Sequence, residues 1–191
     1  MSDGFRFQIR QWRERILPVA SRPPYPPVRL VIDPSYTASS TSDESSVAVG
    51  FLDEDSALTV LDCVHGRFKG LDLPDQIVSS IELWRPQRVW LERNGNGACD
   101  LLMDTIVLRA EMREVSIPII ETFVPNNRVG AKSLRIRQLQ NLIDQHLFHI
   151  SPGPYVSALL AETERYDFES SDNHRRSDSM LDSLALLAGF R

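Results

Sequence analysis

The sequence predicts an α/β fold in which a mixed five-stranded sheet, an antiparallel meander extended by parallel strands, carries helices on both faces. Two observations predict it. Three apolar runs, VRLVID, SSVAVGFL and LTVLDCVHGRF, follow one another across short turns, as in an antiparallel meander. After them, amphipathic stretches alternate with further short apolar runs. Such alternation adds parallel strands to the sheet and covers both of its faces with helices.

The elements after the meander can be assigned in order from their periodicity. LPDQIVSSIELW has the spacing of a helix, RVWLE that of a strand, and a helix runs from Cys99 to Met112. SIPIIETFV holds a short strand, and AKSLRIRQLQNLIDQH is an amphipathic helix. Its predicted inward residues are Leu134, Leu139, Leu142 and Ile143. LFHI is a short strand, and YVSALLAETERY and SMLDSLALLAG are helices.

The first 27 residues differ in composition from the rest of the chain. Prolines at four of the positions 23 to 27 are incompatible with a helix interior or a central strand. We therefore expect an arm with a Pro-rich linker at residues 1–27 and one domain at residues 28–191.

Composition excludes several classes of protein. No apolar run is long enough to span a bilayer, and the N-terminus lacks the apolar core of a signal peptide, so we expect no membrane association and a cytosolic protein. Two cysteines are too few for a disulfide framework or a zinc site. The net charge of -5 argues mildly against nucleic-acid binding, but a nuclease that holds metal ions concentrates carboxylates.

Two acids end apolar strands and are the first candidate site residues. Asp33 closes LVID and Glu92 closes VWLE. If the two strands are adjacent and parallel, their carboxylates converge at one sheet edge, where a divalent cation would relieve their repulsion. The alternative is structural, with Asp33 opening a turn before Pro34 and Glu92 a solvated strand end.

A third acid, Asp182, lies in the last helix beside its apolar stripe, where an acid needs a partner. Asp178, one turn earlier, is interpreted as the helix N-cap. Three acids on two strands and a helix can hold two divalent metal ions about 4 Å apart, an arrangement used for phosphodiester hydrolysis.

Four motifs occur in a characteristic order: DPSYT, LERNGNG, AKSLRIRQL and RRSDSMLDSLALL. Together they resemble the C-terminal nuclease domain of tailed-phage terminase large subunits over about residues 28 to 191. The resemblance implies a ribonuclease H-like fold and a Mg²⁺- or Mn²⁺-dependent endonuclease that cuts concatemeric double-stranded DNA during genome packaging. It assigns the catalytic, metal-binding acids to Asp33, Glu92 and Asp182, and a lysine near the active site to Lys132. Ser179 departs from the family pattern, in which an acid or histidine stands there.

The resemblance also implies partners. A portal protein and a small terminase subunit are expected, as is action at the procapsid in the host-cell cytoplasm. The sequence has no G-x-x-x-x-G-K-[ST] motif, so the ATPase motor of a complete terminase is absent from this chain.

Basic residues near the acids are candidate DNA contacts. Arg128, Lys132 and Arg135 lie at the start of the AKSLRI helix, and Arg175 and Arg176 precede the last helix. We expect both sets to hold the DNA backbone, although ordinary solvated charge is the alternative. An acidic run is expected to repel DNA: Glu162, Glu164, Asp167, Glu169 and Asp172.

Two other readings stay open at this point. Another ribonuclease H-like nuclease, such as a Holliday-junction resolvase or a transposase core, would share the acids but have different flanking motifs. A non-enzymatic module would use the same acids as turn and cap residues.

Overall fold

The computed structural model describes residues 7–16, 27–35, 44–93, 97–125, 131–166, 168 and 178–190. Over these residues, strands and helices follow one another in the predicted order. The strands are β1 (Arg29–Asp33), β2 (Ser45–Leu52), β3 (Leu58–Gly66), β4 (Arg88–Glu92), β5 (Ile120–Phe123) and β6 (Phe148–Ile150). The helices are α1 (Ile9–Glu14), α2 (Asp72–Trp84), α3 (Ala98–Met112), α4 (Ala131–Asp144), α5 (Val156–Arg165) and α6 (Ser179–Gly189).

The strands form one mixed sheet in the order β5-β4-β1-β2-β3-β6. β1, β2 and β3 are the predicted antiparallel meander, and β4 and β5 extend it in parallel with β1. The predicted fold class is confirmed, but the sheet has six strands rather than five. The short strand β6 pairs in parallel with the start of β3, from Leu58 to Val60, and so covers an edge that would otherwise present unpaired backbone groups.

Successive residues of each strand point to opposite faces of the sheet and build two separate cores. In β1, Leu30 and Ile32 pack with α2 and α3, whereas Val31 packs with α4, α5 and α6. Helices therefore cover both faces, as predicted. Asp33 follows the alternation of Val31 and faces the α6 side.

Helix α6 lies at the centre of the second face and is buried on all sides from Ser179 to Leu187. Its close approach to the sheet depends on Gly50 of β2. A Cβ at this position would lie 2.9 Å from the side chain of Leu187 and 2.5 Å from the carbonyl oxygen of Thr59. None of the described helices, α6 included, is both long and apolar enough to cross a membrane.

Helix α4 buries a face that differs in part from the predicted one. Ile136, Leu139 and Ile143 are fully buried, but Leu134 is 63% exposed, so its predicted inward position is wrong. Leu134 lies one residue before Arg135, whose side chain turns toward α6. The contact of Arg135 with α6, together with the burial of Ile136, Leu139 and Ile143, helps set the rotation of α4.

The described part of the N-terminal arm packs against the domain. Phe7 and Trp12 are buried in the core on the α6 side. The backbone N–H of Ile150 donates to the carbonyl oxygen of Arg15 at 2.9 Å, which ties the end of α1 to β6. The boundary between arm and domain at residue 27 remains a prediction.

Candidate active site

Asp33 and Glu92 end neighbouring parallel strands. The register of β1 and β4 pairs Ile32 with Leu91, so the residues that follow them lie side by side at the carboxyl edge of the sheet. Ile32 and Leu91 belong to the core on the α2 side, which turns both acids toward α6. The two carboxyl groups lie close enough for the charge of Glu92 to raise the pKa of Asp33, after the larger effect of burial.

Asp182 reaches this edge from α6. One carboxylate oxygen from each of Asp33, Glu92 and Asp182 lies within 4.8 Å of the other two. Asp182 is only 4% exposed and Glu92 8% exposed. The structure therefore brings together the three acids that the sequence singled out, from two strands and a helix that are far apart in the chain.

The three carboxylates of the cluster repel one another, and burial makes their charged forms less favourable. Burial raises the pKa of Asp33 well above its usual range, and the negative charges of Glu92 and Asp182 raise it further. Burial, followed by the charge of Asp182, also raises the pKa of Glu92. A cation placed between the three carboxylates would remove this cost.

Two cations of α4 contact the helix-borne acids. The Arg135 guanidinium donates to Oδ1 of Asp182 through Nε at 2.9 Å and Nη2 at 2.6 Å. Lys132 Nζ donates to Asp178 at 2.6 Å and lies 3.5 Å from Oδ2 of Asp182. Burial would lower the pKa of Lys132, but the charges of Asp182 and Asp178 outweigh it, so this pKa is raised and the lysine stays charged.

Asp178 differs from its predicted role. It stands at the N-cap position of α6, yet its side chain makes no capping hydrogen bond. Its carboxylate instead accepts the bond from Lys132, which makes it a fourth acid at the rim of the cluster. The one-turn spacing between Asp178 and Asp182 was the sequence signal for this placement.

Serine side chains fasten α6 to the central strand. Ser46, which pairs with Asp33 in the register of β1 and β2, donates its hydroxyl to the carbonyl oxygen of Ser179 at 2.8 Å. The same hydroxyl contacts that of Ser183. No pattern in the sequence pointed to Ser46, because it is an ordinary small residue at the start of a strand.

The other predicted site residues fall into two groups. Lys132 and Arg135, predicted to hold DNA, lie beside the cluster with their charged groups directed at Asp178 and Asp182. The remaining predicted DNA contacts, Arg128, Arg175 and Arg176, lie outside the described residues.

The acidic run predicted to repel DNA is not a continuous surface feature. Glu162 is 4% exposed, and its Oε1 accepts the backbone N–H of Leu181 at 2.8 Å. Glu164 is exposed, as predicted. Asp167, Glu169 and Asp172 lie outside the described residues. Helical spacing was the available signal, because Glu162 follows Leu159 by three residues and shares its buried face.

No protein-family model and no curated protein matches the sequence. The chain is therefore compared with solved structures that share its architecture. The large terminase of bacteriophage HK97 superposes with a TM-score of 0.61 at 8% identity, over 96% of this chain and 43% of that one. The nuclease domain of the large terminase subunit of the bacterial virus Sf6 superposes with a TM-score of 0.60 at 12% identity, over 95% and 97% of the two chains. A lysine-to-alanine mutant of the Sf6 domain, solved with manganese, gives 0.54 at 11% identity, over 86% and 89%.

The chain has the fold of a terminase nuclease domain. Coverage of nearly the whole Sf6 domain shows that the likeness extends through the entire ribonuclease H-like architecture. This nuclease-like domain spans less than half the length of the HK97 large terminase. At these identities the likeness establishes the fold, and the chemistry has to be argued from the residues of the site.

The three clustered acids suit a divalent ion. Each of the three residues offers a carboxylate oxygen, the donor type that Mg²⁺, Mn²⁺ and Ca²⁺ prefer. The mutual separation of up to 4.8 Å lets one ion, or two close ions, reach all three groups after small side-chain adjustments. The raised pKa values of Asp33 and Glu92 supply the electrostatic reason to bind one.

Proposed function

We propose that this chain is a metal-dependent endonuclease that cuts concatemeric double-stranded DNA during the packaging of a viral genome. The observation that carries the proposal is the convergence of Asp33, Glu92 and Asp182 within 4.8 Å, at the carboxyl edge of neighbouring parallel strands. The fold adds support, since terminase nuclease domains share it.

The three acids are assigned as ligands of two divalent ions, Mg²⁺ or Mn²⁺. Bound ions of this kind activate the attacking water and stabilise the leaving 3′ oxygen of a phosphodiester. Support comes from the all-oxygen donor set and from the related Sf6 domain having been solved with manganese. The strand acids Asp33 and Glu92 would bind from one side and Asp182 from the other.

Arg135 and Lys132 are assigned to holding the helix-borne ligand in place. The fork of Arg135 engages one oxygen of Asp182, which leaves Oδ2 directed toward Lys132. This geometry restricts the rotation of the Asp182 carboxylate before a metal or substrate arrives. Lys132 is held in turn by Asp178 and is proposed to contact the scissile phosphate, since an ammonium group binds phosphate oxygens as a point charge.

The path of the DNA backbone is proposed to follow the start of α4 and the segment before α6. Lys132 and Arg135 mark the described part of this path. Arg128, Arg175 and Arg176 are proposed to extend it on either side. These phosphate contacts would bind DNA regardless of its sequence and would weaken as salt rises.

The packaging role implies further partners. We propose that an ATPase motor acts with this domain, on the same polypeptide or on a separate one, because residues 1–191 contain no phosphate-binding loop motif. A portal protein and a small terminase subunit would complete the machine. The HK97 large terminase, of which this chain spans 43%, is long enough to contain a further domain.

Plasmid cleavage tests the nuclease assignment. We expect nicking and linearisation of supercoiled plasmid with Mn²⁺ or Mg²⁺, complete inhibition by a chelator, and loss of cleavage in Asp33→Asn. Glu14→Gln is the control, because it removes one carboxylate from an exposed ion pair with Arg10 at 3.1 Å on α1.

The outcomes separate the alternatives. Metal-dependent cleavage of linear and supercoiled duplex DNA with little sequence preference supports the proposal. A strong preference for four-way junctions over duplex DNA would assign the chain to resolvases instead. Equal cleavage by wild type and Asp33→Asn would mean that a contaminating nuclease is responsible, and that the acid cluster does not cut DNA.

A further inference from the structure

A buried carboxyl group outside the acid cluster has a defined contact to the helix that carries Asp182. Glu162 lies on the inner face of α5, with Leu159 and Thr163 buried beside it. Its Oε1 accepts the backbone N–H of Leu181 at 2.8 Å. Leu181 directly precedes Asp182, so the contact fixes the backbone next to the helix-borne acid.

The first turn of α6 needs such an acceptor. The first N–H groups of a helix have no carbonyl partner within it and usually bond to the side chain of the N-cap residue. In α6 the N-cap residue is Asp178, whose side chain makes no capping bond and is engaged by Lys132. Glu162 supplies from a different helix the acceptor that the local sequence does not.

Burying a carboxyl group costs free energy, so the burial of Glu162 has to be offset by a favourable contact. An apolar residue at this position would avoid the desolvation cost but would leave the Leu181 N–H without this acceptor in a buried environment. The hydrogen bond from the Leu181 N–H to Glu162 also joins α5 to α6 at the residue adjacent to Asp182.

We propose that Glu162 is a positioning residue that sets the place of Asp182 in the metal site. The inference rests on the proposed function, since it assumes that Asp182 binds metal. Glu162 acts through α6 and touches none of the three clustered acids. It therefore controls how well the helix-borne ligand meets the two strand-borne ligands, and hence the affinity of the site for divalent ions.

Three substitutions separate the hydrogen bond from the ionisable group. Glu162→Gln keeps an oxygen acceptor of the same reach and removes the ionisable group. Glu162→Asp keeps the ionisable group but shortens the side chain by one methylene, which draws the acceptor away from the Leu181 N–H. Glu162→Leu removes both. Glu164→Gln and Glu164→Asp are matched controls on the same helix, where Glu164 is exposed and lies 3.8 Å from Arg13.

Two measurements are made on the intact chain: the dissociation constant for Mn²⁺ by calorimetry, and amide hydrogen exchange over residues 179 to 183 without metal. We expect Glu162→Asp and Glu162→Leu to weaken Mn²⁺ binding by about tenfold or more, as loss of a residue that orients a ligand does. Exchange over 179 to 183 should accelerate in the same two variants. Glu162→Gln should stay within about threefold of wild type in affinity.

Each outcome decides the matter. If Glu162→Asp and Glu162→Leu lose thermal stability but bind Mn²⁺ as wild type does, the residue only supports the fold and the inference is wrong. If Glu162→Gln is as impaired as Glu162→Asp, the ionisable carboxyl group rather than the hydrogen bond matters, and the inference is also wrong. Should the leucine variant not fold, the aspartate variant carries the comparison. If the wild-type chain itself binds no Mn²⁺, the proposed function fails, a pattern distinct from the other two.

Discussion

The strand-borne and helix-borne halves of the acid cluster are positioned in different ways. The positions of Asp33 and Glu92 follow directly from the pairing of β1 with β4, because each acid is the next residue after the paired Ile32 and Leu91. Asp182 has no such constraint from the sheet. Its place depends on how α6 sits against β2, α4 and α5, through contacts made by Ser46, Arg135 and Glu162.

The difference shows where the site is rigid and where it can adjust. Backbone pairing places the strand acids together even though burial raises the pKa of each, and the charges of Glu92 and Asp182 raise that of Asp33 further. The helix acid is held by side chains, and two cations already balance its charge. We therefore expect all three acids to be equally necessary for cleavage. The strand acids and the helix acid should differ in their effects on stability and on the pH dependence of metal binding.

The largest expected effect is on cleavage and does not distinguish the two halves. Asp33→Asn and Asp182→Asn should each reduce the rate of Mn²⁺-dependent plasmid cleavage by about a thousandfold, since losing a metal ligand removes several kcal/mol of transition-state stabilisation. Initial rates of nicking under excess enzyme provide the measurement. A variant at either position that retains more than about a tenth of wild-type activity would exclude that residue as a metal ligand.

Stability without metal should separate the halves. Asp33→Asn removes a carboxyl group whose pKa is raised by burial and by the charges of Glu92 and Asp182, so the melting temperature should rise by about 2 °C. Asp182→Asn leaves Arg135 and Lys132 facing a neutral amide in a largely buried place, so the melting temperature of this variant should fall by about 5 °C.

Thermal denaturation in the presence of a chelator measures both changes. Asp100→Asn, in an exposed ion pair with Arg93, should shift the melting temperature by less than about 2 °C and serves as the reference. Shifts of the same sign at positions 33 and 182 would contradict the distinction between the two halves.

Metal affinity should depend on pH through the strand acids. Because the pKa values of Asp33 and Glu92 are raised, this pair retains a proton to higher pH than ordinary carboxyl groups do, and a metal ion must displace it. The dissociation constant for Mn²⁺ should therefore rise as pH falls, by about tenfold per unit when one proton is displaced. Calorimetry in two buffers of different ionisation enthalpy counts the protons released, and a count of zero would refute the mechanism.

The strand half of the site was predictable from sequence because its determinants are local. Asp33 and Glu92 each close a short apolar run, and their convergence required only that the two runs be parallel neighbours, which the pairing of β1 with β4 confirms. The register of β1 and β4 then places the two acids side by side. The meander, the later helices and the whole span of α6 were predictable for the same reason, since period and apolar content are properties of contiguous residues.

The features that were missed or misplaced depend on contacts between distant segments. Leu134 looked like a core residue, but the contact of Arg135 with α6 helps set the rotation of α4. Glu162 looked like one of several surface acids, and only the position of α6 gives it a partner. The strand in LFHI was predicted, but its place as the sixth strand of the sheet was not, because that place depends on pairing with the distant edge of β3.

The last expected effect concerns Glu162, whose pKa burial raises to about 8. The unfolded chain loses this proton near an ordinary pKa of 4.5, whereas the folded chain keeps it to about 8. Folding stability therefore falls as pH rises from about 5 to 8, by at most about 1.4 kcal/mol per unit from this group. Asp178 and Glu44 raise this pKa further, while Lys132 and the Leu181 N–H oppose them.

Glu162→Gln isolates this contribution, because the amide keeps the acceptor but does not titrate. The free energy of unfolding of the variant, relative to that of wild type, should increase from pH 5 to pH 8 and become constant above pH 8, as chemical denaturation at each pH will show. The strand acids impose a slope of the same sign on both proteins, so it cancels in the difference. A difference that is constant with pH would mean that Glu162 is already ionised in the folded chain near pH 5. Its bond to Leu181 would then be charge-assisted, and α6 would be held by side-chain charge at both Glu162 and Arg135.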